Sequence, residues 1–128
     1  MSDDVLIHLK YGSGPWNRWR RENPGVTITL DGAKLNGAIL TGIDFSGVSL
    51  RGASLHAANL MNADLSGADL TGADLREADL IAANLEGATL SGARLKEADL
   101  LGACLRNARY TASDLDGALH VPPERPLT

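Results

Sequence analysis

Residues 63–80 read ADLSGADLTGADLREADL, three copies of a five-residue unit and the start of a fourth. From this stretch leucine recurs at five-residue intervals, back to Leu30 and on to Leu115, and the register never slips. Only Phe45 and Tyr110 replace leucine at these centres. Two residues before each centre stands alanine, except at Ile28, Ile43, Val48 and Ser113. Two residues after it glycine is the most frequent residue, as at Gly32, Gly67 and Gly92. Self-similarity this strict marks a repeat architecture before any propensity argument is needed.

A period of five suits neither regular element. On an α-helix, residues five apart rotate by about 140°, so no apolar stripe forms. On a continuous strand successive leucines would alternate faces, because five is odd. The consistent solution is a short extended piece and a turn in every repeat. Alanine two before the centre and leucine at the centre then point inward together, and the residues on either side of the leucine point out. Glycine two after the centre supplies the turn. With a near-right-angle corner in each repeat, four repeats close a coil of about 20 residues that stacks on the next at roughly 4.8 Å. The repeats from Leu30 to Leu115 then make about 4.5 coils and a rod of roughly 20 Å.

The runs quoted above resemble the pentapeptide repeat family, whose pattern is A-(D/N)-L-x-x, over residues 26 to about 118. The resemblance implies an all-β solenoid, a right-handed quadrilateral β-helix with Leu or Phe inward; a bacterial source is also expected. It also implies that Asp64, Asp69, Asp74 and Asp79 stand where the repeat asks for Asp or Asn. The expected organisation is an N-terminal helical cap over 1–25, the β-helix over 26–118 and a tail over 119–128.

Composition agrees with a narrow interior. Aromatics are only 4% of the 128 residues, so alanine and leucine must fill the core. The chain carries 12 basic and 16 acidic residues for a net charge of −4, sufficient for solubility and unlike a nucleic-acid-binding polycation. A single cysteine, Cys104, excludes an internal disulfide framework and a cysteine-built metal site. No apolar run is long enough to span a bilayer, and the acidic start MSDDVLIHLK does not read as a signal sequence. A cytoplasmic protein with no membrane association is the expectation.

Residues 1–25 differ in composition from the repeats. Ser2-Asp3-Asp4 suits the start of a short helix through about Lys10, Gly12-Ser13-Gly14 breaks it, and Pro15 suits the start of a second helix ending at Asn23-Pro24. Trp16 and Trp19, three apart, share a face of that helix and are expected to plug the first coil. The alternative makes them, with Arg18, Arg20 and Arg21, a basic-aromatic patch for nucleic acid or membrane. The segment's four basic and three acidic residues argue against it. The WNxWRxxNP string also resembles the N-terminal segment of some pentapeptide repeat proteins. At the other end Pro122-Pro123 stops strand pairing, and the last coil is expected to present an edge through which two copies dimerise.

Residues 20 apart stack on one side of such a rod. One side carries Thr41, Met61, Ile81 and Leu101 just after the centres, with Ile39 just before one. Outward positions are otherwise nearly all polar, so Ile39, Met61, Ile81 and Leu101 form a candidate stripe for a protein partner or a second copy. The plainer reading is that a few apolar surface residues are ordinary. The adjacent side shows His56, Arg76 and Lys96 with Arg94 nearby, balanced by Asp74, Glu77 and Glu97. His8, His56 and His120 are dispersed, Cys104 has no histidine on its stack, and no phosphate-binding loop is present. No catalytic residue, cofactor or metal is expected, and no enzymatic activity.

Two functions remain: a non-enzymatic module offering a rigid surface to an unidentified protein, or a DNA mimic. The family resemblance suggests the second, since some members resemble B-DNA and bind DNA gyrase. Charge weighs against it. A 20 Å stretch of B-DNA carries about 12 uncompensated negatives. Residues 30–118 hold 12 acidic but also 7 basic residues, a net of −5. Nucleic acid is not expected as a partner either.

Overall fold

The computed structural model describes residues 3–123. Helices α1 (Asp3–Leu9) and α2 (Ser13–Glu22) precede a four-sided coil. From Thr29 to Thr89, every outward residue just before a centre bridges, in parallel, the residue 20 positions on. The first side stacks Thr29, Ser49, Asp69, Thr89 and Arg109, and the second Lys34, Ser54, Asp74 and Arg94. The third stacks Ile39, Asn59, Asp79, Asp99 and Leu119, and the fourth Asp44, Asp64, Asn84 and Cys104. Interior rungs bond both ways. Leu70 N–H donates to the Thr89 carbonyl above at 2.8 Å, while Asp69 N–H donates to the Val48 carbonyl below at 3.1 Å.

The corners follow from the same five residues. Ala73 N–H donates to the Leu70 carbonyl at 2.9 Å across Thr71-Gly72, and Gly72 has φ +68°. Positive φ at the third residue is what a type II turn requires, which is why glycine is frequent there. At Ala57, Asn62, Glu77, Ala82, Glu97 and Asn107 the same corner is made by side-chain-bearing residues with φ near 60°. The Asp or Asn before the centre stabilises the corner from outside. Asp64 Oδ1 accepts from Ser66 N–H at 3.0 Å and Asn84 Oδ1 from Glu86 N–H at 3.0 Å, each closing an Asx turn two residues on.

Inside, every inward alanine and leucine from Ala53 to Leu105 is buried, and no buried side-chain polar atom among the described residues lacks a partner. The interior is a continuous apolar column, and the stacked backbone ladders enclose it.

The two ends depart from the repeat. Helix α2 begins at Ser13, with Gly12 at its N-cap, so Pro15 lies inside the first turn instead of opening the helix. Proline is tolerated there because first-turn amides have no intrahelical acceptor. The helix crosses the fourth side of the first coil. Trp16 Nε1–H and Arg20 Nη1–H both donate to the Asp44 carbonyl, at 2.8 and 2.9 Å. Arg20 Nη2–H reaches the Ser46 carbonyl at 3.0 Å, and Asn17 Oδ1 accepts from Asp44 N–H at 2.7 Å. In later coils these same backbone positions bond to the coil below; here side chains of α2 take that part.

At the other end, residues Ala112–Leu115 form a single 3-10 turn, so Arg94 has no bridging partner above it. Ser113 stands in the slot that alanine fills elsewhere, and turning inward would strip its hydroxyl of water. It is exposed instead, with its Oγ 2.9 Å from Thr111 Oγ1. Pairing then resumes at Leu119, one residue beyond the expected limit of 118. Of the tail expected over 119–128, residues 124–128 lie outside the described residues.

Candidate interaction surface

The third side is flat because its backbone is a ladder, and its outward positions fall into two columns. Asn59, Asp79 and Asp99 fill most of the column before the centres. Each turns its carboxyl or amide oxygen back onto the N–H of Met61, Ile81 or Leu101, at 3.0–3.1 Å. Their polarity is thus directed partly into their own corners. The neighbouring column, after the centres, runs Thr41, Met61, Ile81, Leu101 and, by the same spacing, Val121.

Exposure along it is uneven. Ile39, at the lower end of the first column, is 76% exposed, and Leu101 is 52% exposed. Met61 and Ile81 are half-buried. Apolar exposure on this side is therefore greatest at its ends. Leu119 and Val121, 45% and 42% exposed, join it at the upper end beside Leu101. Both went unnoticed in the sequence, although each lies 20 residues after a member of this side, Asp99 and Leu101.

On the second side the cations Arg76 and His56 are paired, while Arg94 and Lys96 have no ion-pair partner among the described residues. Arg76 makes a two-pronged pair with Asp74, Nε to Oδ1 at 2.9 Å and Nη2 to Oδ2 at 2.7 Å. That guanidinium holds the Asp74 carboxyl down at about 2. His56 Nε2 meets Glu77 Oε2 at 2.5 Å. On the first side Arg51 pairs with Asp69 at 3.1 Å. Acidic columns with their own arginines do not present the unbroken negative track of a DNA strand.

The remaining singled-out residues have structural surroundings. Trp16 is fully buried, edge-on to the Phe45 ring at 5.4 Å. Trp19, partly buried, lies 5.6 Å from Trp16 and stacks on the His8 ring at 4.6 Å. Of the three arginines of α2, Arg20 is committed to carbonyls of the first coil, while Arg18 and Arg21 differ in being unattached to it. His120, one repeat beyond Leu115, meets Asp99 Oδ1 through Nδ1 at 2.9 Å, a contact that lowers the Asp99 pKa. Cys104 is half-buried on the fourth side. No cluster of three or more His, Cys, Asp or Glu side chains suited to a metal exists among the described residues, and no described helix is long and apolar enough to cross a membrane. In the last coil Leu105 and Tyr110 are buried.

The family model for pentapeptide repeats matches in 8 copies, over residues 29–67, 38–76, 58–96 and 73–109. Among solved structures, a pentapeptide repeat protein from the Arabidopsis thaliana thylakoid lumen is 38% identical with a TM-score of 0.63. That match covers 66% of this chain and 59% of the plant chain. A pentapeptide repeat protein from Nostoc is 36% identical with a TM-score of 0.67, over 77% of this chain and 80% of that one. A plasmid-mediated fluoroquinolone resistance protein also matches, at 22% identity and a TM-score of 0.34 over 71% of this chain and 52% of that one. This last likeness is too slight to carry an argument. No curated protein matches the chain in sequence.

Proposed function

We propose, since this chain belongs to the pentapeptide repeat family, that it acts without catalysis as a rigid rod presenting its third side to another protein. The right-handed quadrilateral coil of that family makes the side stiff, because its interior rungs at Asn59, Asp79 and Asp99 are bonded to the rungs above and below. The observation that carries the reading is the set of apolar side chains exposed on this side, Leu101, Leu119 and Val121 at its upper end and Ile39 at its foot, with Met61 and Ile81 half-buried. A flat, preorganised face loses little conformational freedom on contact. Its length of about 20 Å, at roughly 4.8 Å per coil, places the contact in the small and transient class. Helices α1 and α2 serve as a cap that shields the lower end of the apolar column and bonds the fourth-side edge of the first coil.

The test is a pull-down from the native host's lysate with the full chain, comparing wild type, Leu101→Asp and Ser91→Asp. Ser91 is an exposed residue of the first side, so that variant adds the same charge elsewhere. A protein kept by wild type and Ser91→Asp but lost by Leu101→Asp is the expected result. Equal recovery by all three would remove the third side from consideration.

A further inference from the structure

The break in the second side leaves two backbone groups of the last complete rung unanswered. One coil lower, Arg94 completes the rung formed by Ala73 and Leu75: its N–H donates to the Ala73 carbonyl at 3.0 Å and its carbonyl accepts from Leu75 N–H at 2.8 Å. The equivalent groups above are the Ala93 carbonyl and Leu95 N–H. The residue in register to meet them, Asp114, is drawn into the 3-10 turn. Its N–H bonds the Thr111 carbonyl at 3.0 Å, and its carboxylate accepts from Thr111 N–H at 2.8 Å and Gly92 N–H at 3.1 Å. Among the described residues nothing pairs with Leu95 N–H or the Ala93 carbonyl, although Ala93 and Leu95 are only 5% and 1% exposed. Buried backbone groups without partners are rare enough to require an explanation.

Above this rung lies a cavity of about 300 Å³. Residues 93–96 of the rung line it together with Arg76 from the coil below, and Ser113, Asp114 and Asp116 line it from the turn and just beyond. The donor and acceptor on the rung have the spacing of one strand residue, since Arg94 fills the same arrangement below. The outward column here runs Lys34, Ser54, Asp74 and Arg94, so the next side chain up would lie over the Arg94 guanidinium. Arg94 and Lys96, both at this cavity, have no ion-pair partner among the described residues, unlike Arg76.

We propose that this gap binds an extended peptide segment with a small residue followed by an acidic one, which adds a single rung to the second side. The acidic residue's N–H donates to the Ala93 carbonyl and its carbonyl accepts from Leu95 N–H. Its carboxylate lies over Arg94 and Lys96. This is strand addition at a sheet edge, in which the main chain supplies the bonds and one side chain the selectivity. The site is separate from the third side, so either can fail without the other.

The probe is acetyl-Ala-Asp-Leu-amide, titrated into the uniformly ¹⁵N-labelled full chain and followed by amide resonances and hydrogen exchange. The Leu95 amide is expected to exchange faster than Leu75 and Leu90 in the free protein. Peptide should shift its resonance saturably and slow its exchange. The same peptide N-methylated at Asp lacks the donor for Ala93 and should not bind. Arg94→Ala, an exposed substitution, should weaken binding about two- to fivefold, the range of one exposed ion pair. Ser113→Ala restores the inward alanine and should let residues 113–115 close the rung themselves, abolishing binding while slowing Leu95 exchange. An unmoved Leu95 resonance at saturating peptide would overturn the proposal. So would equal binding of the N-methylated peptide, which means charge alone, or slow Leu95 exchange in the free chain, which means a trapped water already answers the N–H.

Discussion

Reciprocal substitution at two corners gives the sharpest check on the fold's energetics. Gly87 and Ala82 occupy equivalent corner positions, with φ +69° and +59°. A Cβ built on Gly87 would meet nothing closer than the Gly67 nitrogen at 3.9 Å, an ordinary contact. Gly87→Ala therefore introduces no clash, and its effect is conformational. Holding an L-residue in the left-handed region costs about 1–2 kcal/mol. Against this, removing a glycine restricts the unfolded chain and returns about 0.4–1 kcal/mol. The net is a destabilisation of about 0.5–1 kcal/mol for Gly87→Ala, and a gain of the same size for Ala82→Gly. In a chain of this length each corresponds to a shift in Tm of roughly 2–5 °C, downward for Gly87→Ala and upward for Ala82→Gly. Paired urea and thermal unfolding of the two variants and their combination measures this directly, and the double variant should lie near wild type. Gly117→Ala is a useful contrast, because its Cβ would fall 3.0 Å from Lys96 Cγ and add a steric term. If Ala82→Gly destabilised the protein by as much as Gly87→Ala, the corner would not be strained by side-chain-bearing residues, and the account of why glycine recurs there would be wrong.

Two further outcomes are expected. Trp16→Ala removes a fully buried indole from Phe45 and leaves the Asp44 carbonyl short of one donor, so urea unfolding should show a loss of about 3–5 kcal/mol. Because the Asp74 carboxyl is held at about 2 by Arg76, below its ordinary 3.8, its contribution is complete above pH 3.8 and disappears as the pH falls toward 2. The pair is partly exposed, so a stability-versus-pH series should lose less than about 1 kcal/mol from it, and Arg76→Ala should flatten that part of the curve.

The reasons the Asp and Asn residues recur were only half legible. Their place before each centre was evident as pattern, and the Asx turns onto Ser66, Met61 or Leu101 supply the cause. The stripe on the third side was likewise legible as a column, because a 20-residue spacing decides which residues stack. Its exposure was not. Met61 and Ile81 are half-buried while Leu101 in the same column is 52% exposed, a difference that spacing alone does not measure. The engagement of Arg20 with two carbonyls of the first coil could not be anticipated from an arginine-rich helix.

What the sequence by itself determined is the interior of the rod: the four sides, the inward Ala and Leu, the corner at every fifth residue. Each repeat touches only its chain neighbours and the repeats 20 residues away, so a local pattern repeated without a slip leaves one geometry in which all its leucines are buried together. What only the tertiary structure decided lies at the ends. There a rung has no repeat on one side, and its backbone groups must find other partners: Trp16, Asn17 and Arg20 below, and Asp114 with an incomplete rung at Leu95 above. Those partners come from non-repeating chain, where hydrogen-bond geometry and the aversion of the Ser113 hydroxyl to the core select the arrangement, and no period exists to announce it.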